Sequence, residues 1–520
     1  MAHWLEKSIF YEIYPQSFCD SNGDGIGDFE GIIGKLDYIK ELGCNALWLN
    51  PCYLSPFGDA GYDVADYCQA APRYGSNEDL ERLFQEAHRR DMHVILDLVP
   101  GHTSTEHPWF KESCKAEKNP YWGRYIWSDS VWTDVADYEG ITGSLRGLFP
   151  RDGCVAVNFF SNQPALNYGF ANPTEAWQSA VDSPEALETR QAMKDVMAFW
   201  LSKGCDGFRV DMAGSLIKND EGHKETIKLW QDMRSFLDKC WPDAVMVSEW
   251  GEPDKSLAGG FHMDFLLHFG PSHYMDLFRC EHPWFSREGK GDISSFVETY
   301  KKNYQLTKGK GMICIPSGNH DMERMGKFLD TEEMKMAYAF LLSMPGAPFL
   351  YYGDEIGLRH LNLTSVEGGY NRTGARTPMQ WNHEKNYGFS EGEPEMLYTP
   401  QDTSKDAPVV SDEMAKEDSL WREIQKLIKI RRSYPALCAS GSIEFLYCQR
   451  NQYPLVYLRS YGDTGILVAL NPSGEEVCCD CSYKVWETVY TLGKPVRTEA
   501  GVLYIPKESG AFLKVEAKQR

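Results

Sequence analysis

The sequence predicts an α/β fold: a closed (β/α)8 TIM barrel with an insertion after strand 3 and a C-terminal antiparallel β-domain. Three observations lead to this prediction: eight short apolar runs, helical patterns between most of them, and short alternating segments near the end of the chain. Strands buried on both faces of a parallel sheet read as continuous apolar runs, and eight β/α units of this kind form a closed barrel.

The eight runs have the length of short strands and are rich in residues that favour strands. In chain order they are IFYEIYP (9–15), ALWLNP (46–51), HVILDLV (93–99), GFRVDM (207–212), VMVSEW (245–250), MDFLLHF (263–269), MICIPSG (312–318) and APFLYYG (347–353). Stretches such as GIIGKLDYIKELG and EDLERLFQEAHRRD lie between these runs and place apolar residues at helical spacing.

Two parts of the chain depart from this alternation. A long stretch rich in Trp, Tyr, Gly, Asn and Asp separates the third run from a helix expected near 185–203. After a last helix near 419–434, the segments SIEFLYCQ, LVYLRSY, GILVALN, GVLYIP and AFLKVE are typical of short antiparallel strands. The predicted domains are a barrel at 1–101 and 176–436, an insertion at 102–175 and a β-domain at 437–520.

The composition excludes several classes of partner. Seventy-five acidic against 53 basic residues leave a net charge of −22, which repels nucleic acid and anionic lipid and suits a neutral substrate. No apolar run approaches the length of a membrane span, and the first residues do not read as a secretory signal. Fifteen scattered cysteines fit reduced thiols, so we expect a cytoplasmic protein, a monomer or small homo-oligomer, without nucleic-acid or membrane partners.

Three carboxylates stand where strands of the predicted barrel end, which is where the active sites of such barrels lie. Asp211 and Glu249 close the fourth and fifth runs, and Asp321 follows the seventh. A single carboxylate of this kind is more often an ion-pair partner, but three together are costly to bury as mere packing. Paired carboxylates across a cavity are the machinery of glycosidic cleavage, in which one attacks the anomeric carbon and the other transfers the proton.

Arg209 lies two residues before Asp211, so the two side chains share one side of the strand. Its guanidinium would keep the Asp211 carboxylate ionised and oriented through charge-assisted hydrogen bonds. Glu249 has the opposite requirement, because an acid must carry its proton at rest. Partial burial beside other carboxylates favours that protonated form.

A candidate metal loop, DSNGDGIGD, follows the first run at residues 20–28. It places oxygen ligands at alternate positions, in the rhythm of an EF-hand loop, although the bidentate Glu of that motif is absent. The expected ligands are Asp20, Asn22, Asp24, the Ile26 carbonyl and Asp28. The alternative is an Asp-rich turn that binds no metal. We predict structural Ca²⁺ here, with Mg²⁺ left open, and no organic cofactor.

Five motifs resemble the sequence regions of the α-amylase family, in their usual order. They are GYDVADY (61–67), DLVPGHTS (97–104), GFRVDMA (207–213), SEW (248–250) and GNHD (318–321). The opening YEIYPQSFCDSNGDGIGDFEGI and the later ARTPMQW (375–381) are similar to the branch of oligo-1,6-glucosidases, α-glucosidases and trehalose synthases. The resemblance spans essentially the whole chain, and the insertion and β-domain correspond to the family's B and C domains.

The resemblance implies a role for each member of the carboxylate trio. Asp211 is implied as the nucleophile, Glu249 as the acid/base and Asp321 as the residue that grips sugar hydroxyls and stabilises the transition state. It also implies calcium at the loop 20–28, because the glucosidase branch has calcium there. The resemblance therefore implies that the protein is a retaining glycoside hydrolase.

The resemblance also implies the substrate-binding residues around the first glucose ring. His102, Arg209 and His320 match the family's hydrogen-bonding residues, and Tyr62 matches its stacking platform. Asp59 and Arg376 match the pair that holds the non-reducing-end O4 in exo-acting members. An enzyme with the cleft closed at that end would remove single glucose units.

Two positions depart from the family pattern. Gly101 stands where the third-strand motif usually has an Asn that braces the strand ends and, in amylases, ligates calcium, so an amylase-type calcium site between the A and B domains is not expected. Met212 follows the nucleophile, where Val is associated with α-1,6 and Ala or Thr with α-1,4 linkages. Met is longer and more flexible than any of these, and the linkage stays open.

The sequence therefore predicts a retaining exo-acting α-glucosidase that acts on short α-glucosides or oligosaccharides. The alternative is a trehalose synthase or a sucrose-handling transferase or isomerase that uses the same covalent intermediate. A remote alternative is a non-catalytic relative such as a transporter heavy chain, but that class loses catalytic residues and carries a membrane helix. A calcium sensor is weaker still, because the single loop has no partner loop.

Overall fold

The structure is a computed structural model that describes residues 3–147, 149–364, 367 and 372–516. Over these residues the chain forms twenty strands. They are β1 Phe10–Ile13, β2 Ala46–Leu49, β3 Tyr53–Leu54, β4 Asp66–Ala70, β5 His93–Leu98, β6 Gly143–Arg146, β7 Cys154–Val157, β8 Gly207–Val210, β9 Val245–Ser248, β10 Met263–Phe265, β11 Met312–Cys314, β12 Phe349–Tyr351, β13 Ser442–Tyr447, β14 Leu455–Tyr461, β15 Thr464–Asn471, β16 Val477–Asp480, β17 Val485–Leu492, β18 Arg497–Glu499, β19 Val502–Ile505 and β20 Ser509–Glu516.

Twelve α-helices accompany these strands over the same residues. They are α1 Phe29–Gly34, α2 Leu36–Leu42, α3 Asn77–His88, α4 Pro108–Ser113, α5 Pro184–Ser202, α6 Lys224–Cys240, α7 Pro253–Ala258, α8 Met275–Phe278, α9 Ser294–Thr307, α10 Thr331–Leu341, α11 Val410–Ala415 and α12 Leu420–Ser433. In the described ranges, none of the helices is long and apolar enough to cross a membrane. All fifteen cysteines are free thiols.

Eight parallel strands form the barrel, in the order β11-β10-β9-β8-β5-β2-β1-β12. A parallel bridge between Pro316, which follows β11, and Phe349 of β12 joins the two ends of this order and closes the sheet into a barrel. Each predicted run contains one of these strands, so the predicted barrel is confirmed. Most of their side chains are fully buried, because helices cover the outside and side chains fill the inside.

The helices follow from local signals in the sequence. Ser76 and Asp79 form a reciprocal capping box at the start of α3, and that helix buries Leu80, Leu83 and Phe84 against the sheet. The stretch 31–43 reads as one helix but forms α1 and α2, because the backbone at Lys35 leaves helical geometry (φ −112°, ψ 4°). The predicted helices near 185–203 and 419–434 are α5 and α12.

Between β5 and α5 the chain makes the insertion, which contains α4 and the antiparallel hairpin of β6 and β7. It has a small core of its own, to which Ile126, Cys154 and Phe170 belong. A bridge between His102 and Ala165 ties it to the third strand end. The insertion therefore stands over the C-terminal mouth of the barrel.

The C-terminal β-domain packs a five-stranded sheet, β13-β14-β15-β20-β17, against a three-stranded sheet, β16-β19-β18, and both are antiparallel. The five segments expected to be strands are confirmed. Strands β16, β17 and β18 were not predicted. Most side chains of β17 and all of β18 are exposed or half-buried, so these strands lack the buried apolar face that makes a strand readable.

Candidate active site

One large cavity of about 1130 Å³ opens at the C-terminal ends of the barrel strands. Asp211, Glu249 and Asp321 come together on its wall, as predicted from three separate strand ends. The predicted Asp59, Tyr62 and His102 also line it, and the insertion contributes residues 139–142, Phe159 and Phe160. Barrel and insertion therefore share one cavity, large enough for a small oligosaccharide.

Arg209 is the centre of the carboxylate cluster. Its Nη1 contacts Asp97 Oδ1 at 2.7 Å and Asp211 Oδ1 at 3.0 Å, while its Nη2 contacts Glu249 Oε1 at 2.8 Å. The contact with Asp211 follows from their spacing on β8. The contact with Glu249 was not predicted, because it depends on the pairing of β8 with β9.

The two carboxylates that share Arg209 also influence each other. Burial and the neighbouring Glu249 carboxylate raise the pKa of Asp211 well above its usual range, although Arg209 works in the opposite direction. Interacting carboxylates of this kind titrate as a pair. Arg209 therefore does not lower the pKa of Asp211 as expected from the sequence, because burial and the Glu249 carboxylate outweigh the guanidinium.

Asp321 lies among cations. Its Oδ1 contacts Arg372 Nη1 at 2.5 Å and Arg376 Nη2 at 2.9 Å, and its Oδ2 contacts His320 Nε2 at 3.2 Å. Burial alone would raise the pKa of Asp321, but these three groups outweigh it and hold the pKa well below its usual range. Asp321 is therefore ionised, which suits a residue that binds sugar hydroxyls and does not exchange protons.

His320 is charged for the complementary reason. Burial lowers its pKa, but Asp321 and Glu12 outweigh burial and raise the pKa to about 9. Its Nδ1 lies 2.8 Å from Glu12 Oε1, and its Nε2 lies 2.6 Å from the Tyr62 hydroxyl. The Tyr62 hydroxyl donates in turn to Asp97 at 3.0 Å, and its ring stacks on His320 at 5.2 Å. Tyr62 is thus held rigidly on the cavity wall.

His102 is buried and neutral, because burial lowers its pKa to about 4. Its Nδ1 lies 3.2 Å from the Asn158 side-chain amide, and its Nε2 lies 3.1 Å from the Tyr62 carbonyl. An Asn158 N–H that donates to Nδ1 leaves the proton on Nε2, where it donates to that carbonyl. A Cβ added at Gly101 would lie only 2.9 Å from the Asn158 nitrogen, so Asn158 occupies the space beside Gly101.

The expected pairing of Asp59 with Arg376 is corrected by the structure. Arg376 is only 2% exposed and lies behind Asp321, where it contacts Glu367 at 3.0 Å and the His320 carbonyl at 2.8 Å. Arg372 faces the cavity instead, and its Nη2 lies 2.8 Å from Asp59 Oδ1. The run RTGAR at 372–376 contains two arginines four residues apart. The resemblance pointed to the second, Arg376, whereas the first, Arg372, makes the contact with Asp59.

The candidate metal loop is shaped by its own hydrogen bonds. Asp20 accepts hydrogen bonds from the backbone of Asn22, Gly23 and Gly25, and Asp28 caps α1 by accepting from Gly31. Within the described part of the chain, no group of three or more His, Cys, Asp or Glu side chains is arranged to hold a metal ion. The donors of the loop are all oxygen atoms, which suits a hard cation, and calcium at this loop stays a prediction.

The barrel and its strand-end carboxylates define the class of the protein as a glycoside-processing enzyme. Residues 12–440 match the family model described as alpha amylase, catalytic domain. The chain belongs to the α-amylase family, and the predicted family is confirmed.

Relatives in this family carry more than one activity. The glucan 1,6-alpha-glucosidase of Streptococcus pneumoniae serotype 4 is 32% identical over 91% of this chain and 92% of its own length. The oligo-1,6-glucosidase of Bacillus cereus is 31% identical over 91% of each chain. The trehalose synthase/amylase TreS of Mycolicibacterium smegmatis is 33% identical over 77% of this chain and 70% of its own.

Solved structures point to the same branch. The trehalulose synthase MutB from Pseudomonas mesoacidophila MX-45 superposes with a TM-score of 0.82 at 25% identity, over 99% of this chain and 100% of its own. An inactive MutB double mutant in complex with isomaltulose superposes with a TM-score of 0.83, at the same identity and coverage. Proteins named as glucosidases and proteins named as synthases thus both resemble this chain over most of its length.

Proposed function

We propose that the protein is a retaining, exo-acting α-glucosidase that hydrolyses short α-glucosides through a covalent glucosyl-enzyme intermediate. The observation that carries the exo-acting part is the contact of Arg372 with both Asp59 and Asp321. We infer that this bridge closes the cavity beside the reacting carboxylates and limits that end to one terminal glucose. Gln163 from the insertion supports the bridge by donating to Asp59 at 2.8 Å.

The reaction follows from the roles of the carboxylate pair. Asp211 attacks the anomeric carbon as the bond to the leaving oxygen breaks, and Glu249 gives its proton to that oxygen. Glu249 then accepts a proton from water, whose oxygen attacks the anomeric carbon and releases the Asp211 carboxylate. Two inversions leave the α-configuration unchanged. Asp321 and Arg372 would hold the glucose hydroxyls through both steps.

The alternative product outcome uses the same intermediate. If a sugar hydroxyl reaches the glucosyl-enzyme in place of water, the product is a transferred or isomerised sugar. The similarity of this chain to TreS and to trehalulose synthase MutB supports transfer or isomerisation as the second candidate function. The two outcomes differ only in which acceptor the cavity admits at the side opposite Asp59.

Product analysis separates the two outcomes. The protein is incubated with maltose, isomaltose, trehalose and sucrose, and products are resolved by chromatography. Glucose release, with α-glucose appearing first by NMR, supports the hydrolase, whereas trehalose from maltose or isomaltulose from sucrose contradicts it. Asp211→Asn should abolish turnover with the melting temperature preserved, while Asp418→Asn, at a side chain 79% exposed, serves as the matched control.

We propose in addition that the loop at 20–28 binds Ca²⁺ in a structural role. Asp24 is the position to test, because it is exposed and its carboxylate accepts a hydrogen bond from the Ile26 N–H at 2.9 Å. Ca²⁺ should raise the melting temperature of the chelator-treated protein, and Asp24→Asn should remove that increase. MgCl₂ in parallel identifies the preferred ion. No heat of binding in calorimetry with either ion would contradict the proposal.

A further inference from the structure

Asp264 is a buried carboxylate that the proposed reaction does not use. It lies on β10, directly beside the strand that leads to Glu249, and its side chain is fully buried. Burial raises its pKa to about 7. Among the described residues it forms no ion pair, so no cation offsets the cost of burying it. Filling space alone therefore does not explain why a carboxylate occupies this buried position.

Its contacts surround the segment that carries Glu249. Asp264 Oδ1 accepts hydrogen bonds from Ser248 Oγ at 2.7 Å, from the Trp250 N–H at 3.2 Å and from the Gly251 N–H at 3.4 Å. These donors belong to the residue before Glu249 and to the two residues after it. Its Oδ2 is buried without a hydrogen-bond partner in the described chain. One oxygen thus holds both flanks of the acid/base residue.

Glu249 is fixed independently from the opposite side. Its backbone N–H donates to the Val210 carbonyl at 2.9 Å, and its carboxylate contacts Arg209 at 2.8 Å and the Met212 N–H at 3.2 Å. Those contacts come from β8 and the turn after it, whereas Asp264 acts from β10. The strand end is therefore clamped between two neighbours: β10 pairs with β9 as far as Ser248, and beyond the paired residues the Asp264 side chain binds the N–H groups of Trp250 and Gly251.

We propose that Asp264 is a positioning residue that holds Glu249 where it can transfer its proton to the leaving oxygen. This inference rests on the proposed function, because it presupposes that Glu249 is the acid/base. Proton transfer requires heavy atoms within hydrogen-bond reach, and a small displacement of the acid lowers the rate steeply. Asp264 lies outside the substrate cavity, so its effect passes through the Ser248 side chain and the backbone at Trp250 and Gly251.

Two substitutions separate positioning from space filling. Asp264→Asn keeps Oδ1 as the acceptor and places the amide nitrogen where Oδ2 has no partner. Asp264→Leu has a similar size but leaves the Trp250 and Gly251 N–H groups without their acceptor, while the Ser248 hydroxyl keeps only its contacts with Ser256 Oγ and the Met263 carbonyl. A positioning role therefore predicts that Asn preserves activity and Leu does not. Circular dichroism and melting temperature establish that each variant is folded.

The decisive readout is the dependence on the leaving group. A 4-nitrophenyl α-glucoside leaves as a weakly basic phenolate and needs little protonation, whereas a sugar hydroxyl needs the proton of Glu249. General acid catalysis contributes on the order of 10²–10⁴-fold. We expect Asp264→Leu to lower kcat/KM for the disaccharide that the wild type prefers by roughly 30-fold, and for the aryl glucoside by less than about 3-fold. Asp264→Asn should stay within about 3-fold of the wild type on both substrates.

The outcomes also distinguish failure of this inference from failure of the proposed function. Wild type without turnover of any α-glucoside, or a Glu249→Gln variant that loses both substrates equally, contradicts the proposed function. If Glu249→Gln is selective but Asp264→Leu loses both equally, or loses neither, the positioning role is wrong. If Asp264→Leu does not fold, Ser248→Ala takes its place, and an equal loss on both substrates refutes the inference.

Discussion

Arg209 binds Glu249 through Nη2, at 2.8 Å, while its Nη1 binds the carboxylate of Asp211 at 3.0 Å. One planar guanidinium therefore sets the distance and orientation between the proposed nucleophile and the proposed acid/base. Both contacts are buried, so neither is weakened by solvent.

The shared guanidinium predicts that lysine cannot replace Arg209. Lysine is a point charge with no fork, so it can hold one carboxylate but not keep both in register. Arg209→Lys should lower kcat/KM by about 10²-fold or more and destabilise the fold by roughly 3 kcal/mol, because buried carboxylates lose their partner. Steady-state kinetics and denaturant unfolding measure both effects. Lys218→Arg, at another buried cation, is a control for local repacking. Activity near that of the wild type would refute the shared role.

The corrected role of Arg372 predicts a loss of activity without a loss of fold. Arg372→Ala removes the bridge between Asp59 and Asp321, and we expect kcat/KM to fall about 10²-fold while the melting temperature changes little. Asp59→Asn should lower kcat/KM to a similar extent. The double variant should lose less transition-state stabilisation than the two single variants added together, because both residues act through one contact. Additive losses would show that the two residues act separately.

The contact beside Gly101 predicts that two substitutions compensate each other. Gly101→Ala places a methyl group 2.9 Å from the Asn158 nitrogen and should disturb His102, lowering both stability and activity. Asn158→Ala removes the donor to His102 and should lower kcat/KM by about 10-fold. In the double variant the methyl group has room, so its melting temperature should exceed that of Gly101→Ala. A double variant less stable than either single one would contradict this account.

The raised pKa of His320 predicts a pH-dependent contribution to stability. A histidine has a pKa near 6.5 when unfolded, and His320 in the folded protein has a pKa of about 9. Protonated His320 therefore stabilises the fold fully below about pH 6.5, and this contribution is lost as the pH rises through 9. The difference in unfolding free energy between wild type and His320→Gln should shrink by up to roughly 3 kcal/mol over that range. Denaturant unfolding between pH 6 and pH 9.5 measures it, and a constant difference would refute it.

Much of the fold could be predicted because burial leaves a mark on the sequence. Every barrel strand is short and apolar, and every predicted run contains one. Strands β16 to β18 left no such mark, because their side chains are mostly exposed. Lys35, where α1 ends and α2 begins, was hidden within a continuous helical pattern.

The site was predictable where function depends on residue type at a strand end. Asp211, Glu249 and Asp321 were found in this way, and they meet on one wall. Contacts between distant segments were out of reach: Asn158 meets His102 across 56 residues, and Arg372 meets Asp59 across 313. Such pairs follow from how the loops fold over the barrel, which periodicity does not describe.

The insertion has a further consequence for how activity arises. It supplies Asn158 and Gln163, which hold His102 and Asp59, whereas the three carboxylates come from the barrel. Because Tyr125, Trp127 and Leu166 of the insertion pack into the same core as the barrel, the grip on glucose depends on that shared packing. A substitution that loosens this shared packing would therefore leave the groups for bond cleavage in place and weaken the hold on glucose.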